Sequence, residues 1–170
     1  MVLQEADLTT RIHKESLLAK IKSDKDNFSK LLRWSLLNAQ PLGWRATWLL
    51  RQIVEKRDPR IAKVISQVIE QYRQFNHSQR REWLKMLIDQ HISEDEEGQL
   101  FDLCIEEWKQ IHNQPALRAS AIFLVFSFLK KYPELINELN HLMTADYLDE
   151  LSPGIKKGVF TQWNAIKFGS

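Results

Sequence analysis

With 170 residues, 44% of them hydrophobic and 27% charged, the chain has the composition of one folded domain with a real core. Five Gly and five Pro are too few for the turns of a sandwich or barrel, and strand-type alternation is scarce, so the chain reads as all-α. A single cysteine excludes a disulfide framework and a thiolate zinc site, while the net charge of +2 hides a split: 17 Lys/Arg against 9 Asp/Glu through residue 85, then 7 against 13.

The amino-terminal stretch shows no apolar h-region, and the longest apolar run, Ala121 to Leu129, falls far short of the roughly 20 residues that a spanning helix needs. The expectation is a cytoplasmic protein with no membrane partner. A leading helix is predicted from about Asp7 to Lys22, followed by helices near 27–38, 41–56, 59–74, 78–91, 95–111, 115–131, 133–147 and 153–167, about nine in all. They form one domain over 1–170, with the leading helix in 1–25 and four antiparallel pairs in 26–168.

All five prolines mark helix starts, at Pro41, Pro59, Pro115, Pro133 and Pro153. The first turn tolerates proline because its missing N–H has no intrahelical partner there. Asp58 and Ser152 precede two of them as N-caps, and Ser93 with Glu96 has capping-box spacing ahead of the acids Glu94 to Glu97.

The second helix of each pair opens alike, at Pro41 to Leu50, Ser78 to Leu84, Pro115 to Leu124 and Pro153 to Phe160. A cation falls in register at Arg45, Arg81, Arg118 and Lys156, at separations of 36, 37 and 38 residues. That period is the signature of a helical repeat array, in which each pair buries its apolar face only against its neighbours. Leu117-Arg118-x-x-Ala121-x-x-Leu124 resembles the apolar-Arg-x-x-Ala-x-x-Leu opening of a HEAT repeat's second helix. Residues 130–135 and 152–158 resemble later segments of small bacterial HEAT-like proteins. The resemblance covers roughly 27–168, and the Ser78 to Leu84 unit departs from it by placing Gln79 and Glu82 where small or apolar residues are expected. It implies a right-handed HEAT/armadillo-like α-α superhelix whose second helices line a concave face that holds a partner. It implies no chemistry, no cofactor and no metal.

The register cations have two readings. In one they bond polar residues of adjacent turns, where Asn38, Asn76, Asn113 and Asp149 stand; in the other they point into the groove. Trp34, Trp48, Trp83 and Trp108 fall at apolar-periodic positions and read as core. Trp48 lies one turn after Arg45, however, and Trp163 two turns after Lys156, so both can share a face with a cation. Candidate concave-face binding residues are therefore Arg45, Trp48, Arg81, Lys85, Arg118, Lys156 and Trp163. The basic stretch Arg51 to Lys85 is interrupted by acids and reads as solvated surface.

The five histidines offer no pair at i, i+3 or i+4 for a metal. Cys104 sits within an apolar set and reads as inert core. Ala119 to Leu129 is apolar nearly all round, which marks a helix buried on every side. The expected function is a non-enzymatic scaffold for a protein or peptide. The alternative is nucleic-acid binding, since HEAT-like alkylpurine DNA glycosylases share this architecture, although no catalytic Asp aligns here. Head-to-tail self-association, basic first half to acidic second half, is a third expectation.

Overall fold

The computed structural model describes residues 1–10 and 13–169, and its regular elements are all helical. They fall into two compact units, 1–91 and 92–170.

In the first unit the helix expected over Asp7 to Lys22 is two helices, α1 (Glu5–Thr9) and α2 (Lys14–Lys22); residues 11 and 12 of the expected span lie outside the described residues. Thr10 leaves α1 in an extended conformation, and its hydroxyl donates to the Ala6 carbonyl at 2.7 Å. A β-branched residue with a hydroxyl competes in this way for helix carbonyls, and a second threonine precedes it. Then follow α3 (Lys25–Ser35), α4 (Leu42–Ile53), α5 (Pro59–Ala62), α6 (Ile65–Gln71), a 3-10 turn at Tyr72–Gln74 and α7 (His77–Leu87). The helix expected over 59–74 is thus three pieces, yet Ile61, Ile65 and Val68 all stay wholly buried across the breaks. Helix α3 packs on α4 and α4 on α7.

Two polar hubs tie these helices together. Asn27, fully buried, donates to the carbonyls of Met1 (2.8 Å) and Lys20 (2.9 Å) and accepts from the Leu3 amide (2.7 Å). Both of its donors and its oxygen are therefore engaged by the amino-terminal segment and the end of α2. The second hub explains the departure at Gln79. Its amide donates to the Ser35 and Leu37 carbonyls at 2.9 and 3.0 Å, and Trp83 Nε1 donates to Ser35 at 3.1 Å. A helix C-terminus leaves carbonyls without partners, and here side chains of α7 supply them to α3. The approach is close enough that a Cβ at Gly43 would stand 2.3 Å from the Leu37 oxygen.

The second unit contains α8 (Glu94–Lys109) and α9 (Pro115–Leu129), a 3-10 turn at Pro133–Leu135, α10 (Ile136–Leu139), a further 3-10 turn at Asn140–Leu142, α11 (Ala145–Leu148) and α12 (Pro153–Phe168). The helix expected over 133–147 is therefore a series of short turns, anchored by the buried Leu139, Leu142 and Leu148. Both α8 and α12 pack on α9, and this covering from two sides is why α9 is apolar all round. Trp108 is wholly buried and donates to the Leu142 carbonyl at 2.9 Å, while Trp163 stacks on Phe126 at a centroid distance of 5.7 Å.

The helix-start marks hold in detail. Pro59, Pro115 and Pro153 occupy first helical positions, Pro133 opens a 3-10 turn, and Pro41 sits just before Leu42. Asp58 accepts from the Arg60 amide at 3.0 Å, and Ser93 with Glu96 forms the capping box. Ser152 has the extended backbone of an N-cap, but its side chain makes no capping bond.

Candidate functional site

Helix α4 presents Trp44, Arg45, Trp48 and Leu49 toward α1 and α2. The spacings i, i+1, i+4 and i+5 place these four on one side of a 3.6-residue helix. With Leu8, Thr10, His13 and Leu17 from the amino-terminal side, and Arg81 and Glu82 from α7, they line an open cavity of about 620 Å³. This lies within the roughly 300–1,000 Å³ range of ligand pockets. The indoles of Trp44 and Trp48 are half-buried, in contrast to the fully buried Trp83.

The cavity carries charges of both signs. Glu82 is only 2% exposed, and its carboxylate meets Arg51 Nε at 2.5 Å and Arg81 Nη2 at 3.3 Å. Lys85 lies one helical turn beyond Arg81. Although the residue is exposed, partial desolvation of its ammonium, with repulsion from Arg81 and Arg51, holds it below the ordinary lysine value against the opposing pull of Glu82. Asp7, also on the cavity, is paired with Lys20 at 2.6 Å; that bond and the Gln4 amide hold its carboxyl below the usual carboxylate range. Arg45 spends Nη1 on the Leu8 carbonyl at 2.7 Å, and its guanidinium carbon lies 5.7 Å from the Trp44 ring centroid. Lys14 Nζ lies 5.4 Å from the centroid of Trp48. The lining thus carries two cations, Arg45 and Arg81, and two carboxylates, Asp7 and Glu82, with Lys20 and Arg51 paired to those carboxylates from outside it. Flat aromatic walls beside guanidinium groups suit a ligand that brings negative charge.

Of the residues singled out from sequence, Arg45, Trp48 and Arg81 line this cavity, and Lys85 adjoins it through the Glu82 cluster. The other three belong to the second unit. Arg118 is fully buried: Nε donates to the Trp108 carbonyl at 3.0 Å and Nη2 to the Tyr147 carbonyl at 2.6 Å. Its Nη1 has no hydrogen-bond partner among the described residues, and burial holds the guanidinium below its ordinary value, with Glu150 opposing. Lys156 pairs with Asp149 at 2.6 Å, the turn residue its spacing points to. Trp163 is 5% exposed and belongs to the α9–α12 core. Asn76 caps α7 through the Gln79 amide, and Asn113 donates to Glu107, so neither meets a register cation.

Sequence reasoning missed Trp44, Asp7, His13 and Glu82. Trp44 had a signal, since it stands four residues before Trp48 and so on the same face. Cys104 is buried, and burial first and Glu107 second push its thiol far above the ordinary range. Among the described residues no three His, Cys, Asp or Glu side chains gather to hold a metal ion, and no helix is long and apolar enough to cross a membrane.

A family model described as a HEAT repeat domain matches residues 4–162. No curated protein and no solved structure matches the chain. HEAT repeat domains are helical scaffolds often used for protein interaction. With helix pairs stacked as described and the match spanning both units, the chain belongs to the HEAT repeat domain family.

Proposed function

We propose that this chain is a non-enzymatic scaffold that holds an acidic segment of a partner protein in the cavity of its first unit. One observation carries the reading: Trp44 and Trp48 stand in the same cavity as the guanidinium groups of Arg45 and Arg81. An extended acidic segment with an apolar or aromatic side chain offers groups for both walls. The apolar part covers the indoles, and the carboxylates meet the guanidinium groups, which are suited to paired hydrogen bonds.

Binding of a fluorescently labelled Asp/Glu-rich peptide, followed by anisotropy, tests this. Arg45→Ala and Arg81→Ala are each expected to weaken binding about tenfold or more, and a neutral peptide of the same length is expected to bind far less. Equal binding of both peptides, or variants with unchanged affinity, would overturn the reading.

The second reading is a nucleic-acid strand on the same surface, favoured by indoles beside cations, the arrangement on which bases stack. It replaces the first if single-stranded or duplex DNA binds more tightly than the acidic peptide, with an affinity that falls steeply with salt.

A further inference from the structure

The second unit has a cavity of the opposite character, and a helix in the same unit has a surface that complements it. Phe101, Phe128, Tyr132 and Leu135 line an open cavity of about 300 Å³ where α8 meets the end of α9. Glu94, Glu97, Asp102 and Glu134 stand around it. Lys131 answers two of these, at 2.9 Å from Glu97 and 3.6 Å from Glu94, and Tyr132 donates to Glu97 at 2.7 Å. Asp102 and Glu134 are exposed and make no ion pair among the described residues.

Helix α12 holds to α9 through the buried Val159 and Trp163. Its exposed surface carries Lys157, Phe160, Lys167 and Phe168, with Phe160 39% and Phe168 72% exposed. The helix contains no Asp or Glu, and Lys167 Nζ lies over the Phe168 ring at 5.9 Å. Exposed aromatic rings beside lysines, with no acid on the same helix, suit an acidic partner surface that offers apolar contact.

We propose that the lysine–phenylalanine face of α12 in one copy docks into the acid-rimmed apolar cavity beside Asp102 and Glu134 of a second copy. Charge complementarity picks out the occupant. The cavity has apolar lining and a carboxylate surplus, and α12 supplies exposed rings and lysines with no acid to oppose them. The two surfaces differ, so the contact is heterologous and a third copy can add in the same way. A single helix face in a small cavity makes a weak contact, and its exposed ion pairs are screened by salt.

The test is sedimentation velocity of the full chain at about 50 mM and about 500 mM salt, where screening lengths differ several-fold. Two charge-reversed variants accompany it: Asp102→Lys with Glu134→Lys, and Lys157→Glu with Lys167→Glu. All four positions are exposed, so each variant is expected to keep the wild-type helical circular dichroism. The expected result is concentration-dependent association of the wild type at low salt, weakened about tenfold or more in either variant. An equimolar mixture of the two variants should associate again, because each supplies the intact surface the other lacks. A wild type that stays monomeric at low salt overturns the proposal. So does association that survives either variant, or a mixture that fails to recover it. Loss of association on reversing Arg51 and Lys56 while the α12 variant still associates would assign the contact to the basic first unit instead, and equally overturns it.

Discussion

The guanidinium of Arg118 lies over the indole of Trp108, 4.8 Å from the ring centroid, while its Nε donates to the carbonyl of that same residue at 3.0 Å. With Nη2 on Tyr147, one buried cation ties α8, α9 and the α11 segment. No carboxylate forms an ion pair with it among the described residues, so its charge is held by backbone dipoles and a ring face.

Arg118→Lys is therefore not conservative. A lysine has one compact ammonium and cannot serve two carbonyls in fixed directions while stacking flat on an indole. The expected loss is about 2–3 kcal/mol of unfolding free energy, and about 3 kcal/mol or more for Arg118→Ala, which also strands both carbonyls. Urea denaturation followed by tryptophan fluorescence measures both. A loss under 1 kcal/mol in either would show that the buried guanidinium is not a tie.

Arg118 also shows how much of the molecule was legible in its sequence. Its register with Arg45, Arg81 and Lys156 followed from the period alone. Its partners did not, because backbone carbonyls have no letter of their own; only Lys156, which meets a side chain in Asp149, took the partner its spacing named. The cavity divides the same way. Arg45, Trp48 and Arg81 were marked by the repeat, whereas Asp7, Leu8 and His13 come from the segment that the sequence reads as one leading helix and the structure divides into α1 and α2. Gln79 looked like a flaw in the pattern because the carbonyls it serves lie more than 40 residues away in the chain.

Gly43 and Gly98 should respond oppositely to alanine. At Gly43 the added methyl meets the Leu37 carbonyl oxygen at 2.3 Å and the Gln79 amide at 3.0 Å, so either α3 or the Gln79 hub must move. The expected cost is about 2 kcal/mol or more. At Gly98, within α8, nothing lies within 4 Å, and Gly98→Ala is expected to stabilise by about 0.5–1 kcal/mol through helix propensity. Thermal denaturation of the pair checks this, and like signs would contradict the packing at Gly43.

Acid should unfasten the turn at Asp58. Its side chain is buried and bonded to Arg60 through both oxygens, at 2.9 and 2.7 Å. That bond is the main reason its carboxyl sits below the ordinary range, with burial opposing and the Arg60 amide assisting. A folded-state value below the unfolded one gives stability that is fully present above the ordinary carboxylate range and lost as pH falls through the folded value. Asp58→Asn keeps the cap and removes the charge, so it should cost about 1 kcal/mol at neutral pH. The difference should shrink as pH falls below the ordinary carboxylate value of 3.8 and through the lower folded-state value. A gap that does not change with pH would place the effect in the cap instead.

Glu82 tests how strongly the cations at the cavity require a negative charge. Buried at 2% exposure, it is the carboxylate facing Arg51, Arg81 and Lys85. Glu82→Gln preserves volume but leaves three partly exposed cations without an acid among them, at a cost of about 1–2 kcal/mol because solvent screens them. Because the deficit is one of negative charge, added phosphate or sulfate should recover part of the loss, beyond its general salting effect on the wild type. Wild type and variant compared at equal ionic strength in chloride and in phosphate separate the two effects. A variant that gains no more from phosphate than the wild type would mean that the three cations are already satisfied by solvent. The guanidinium groups could not then be what draws an acidic segment to Trp44 and Trp48.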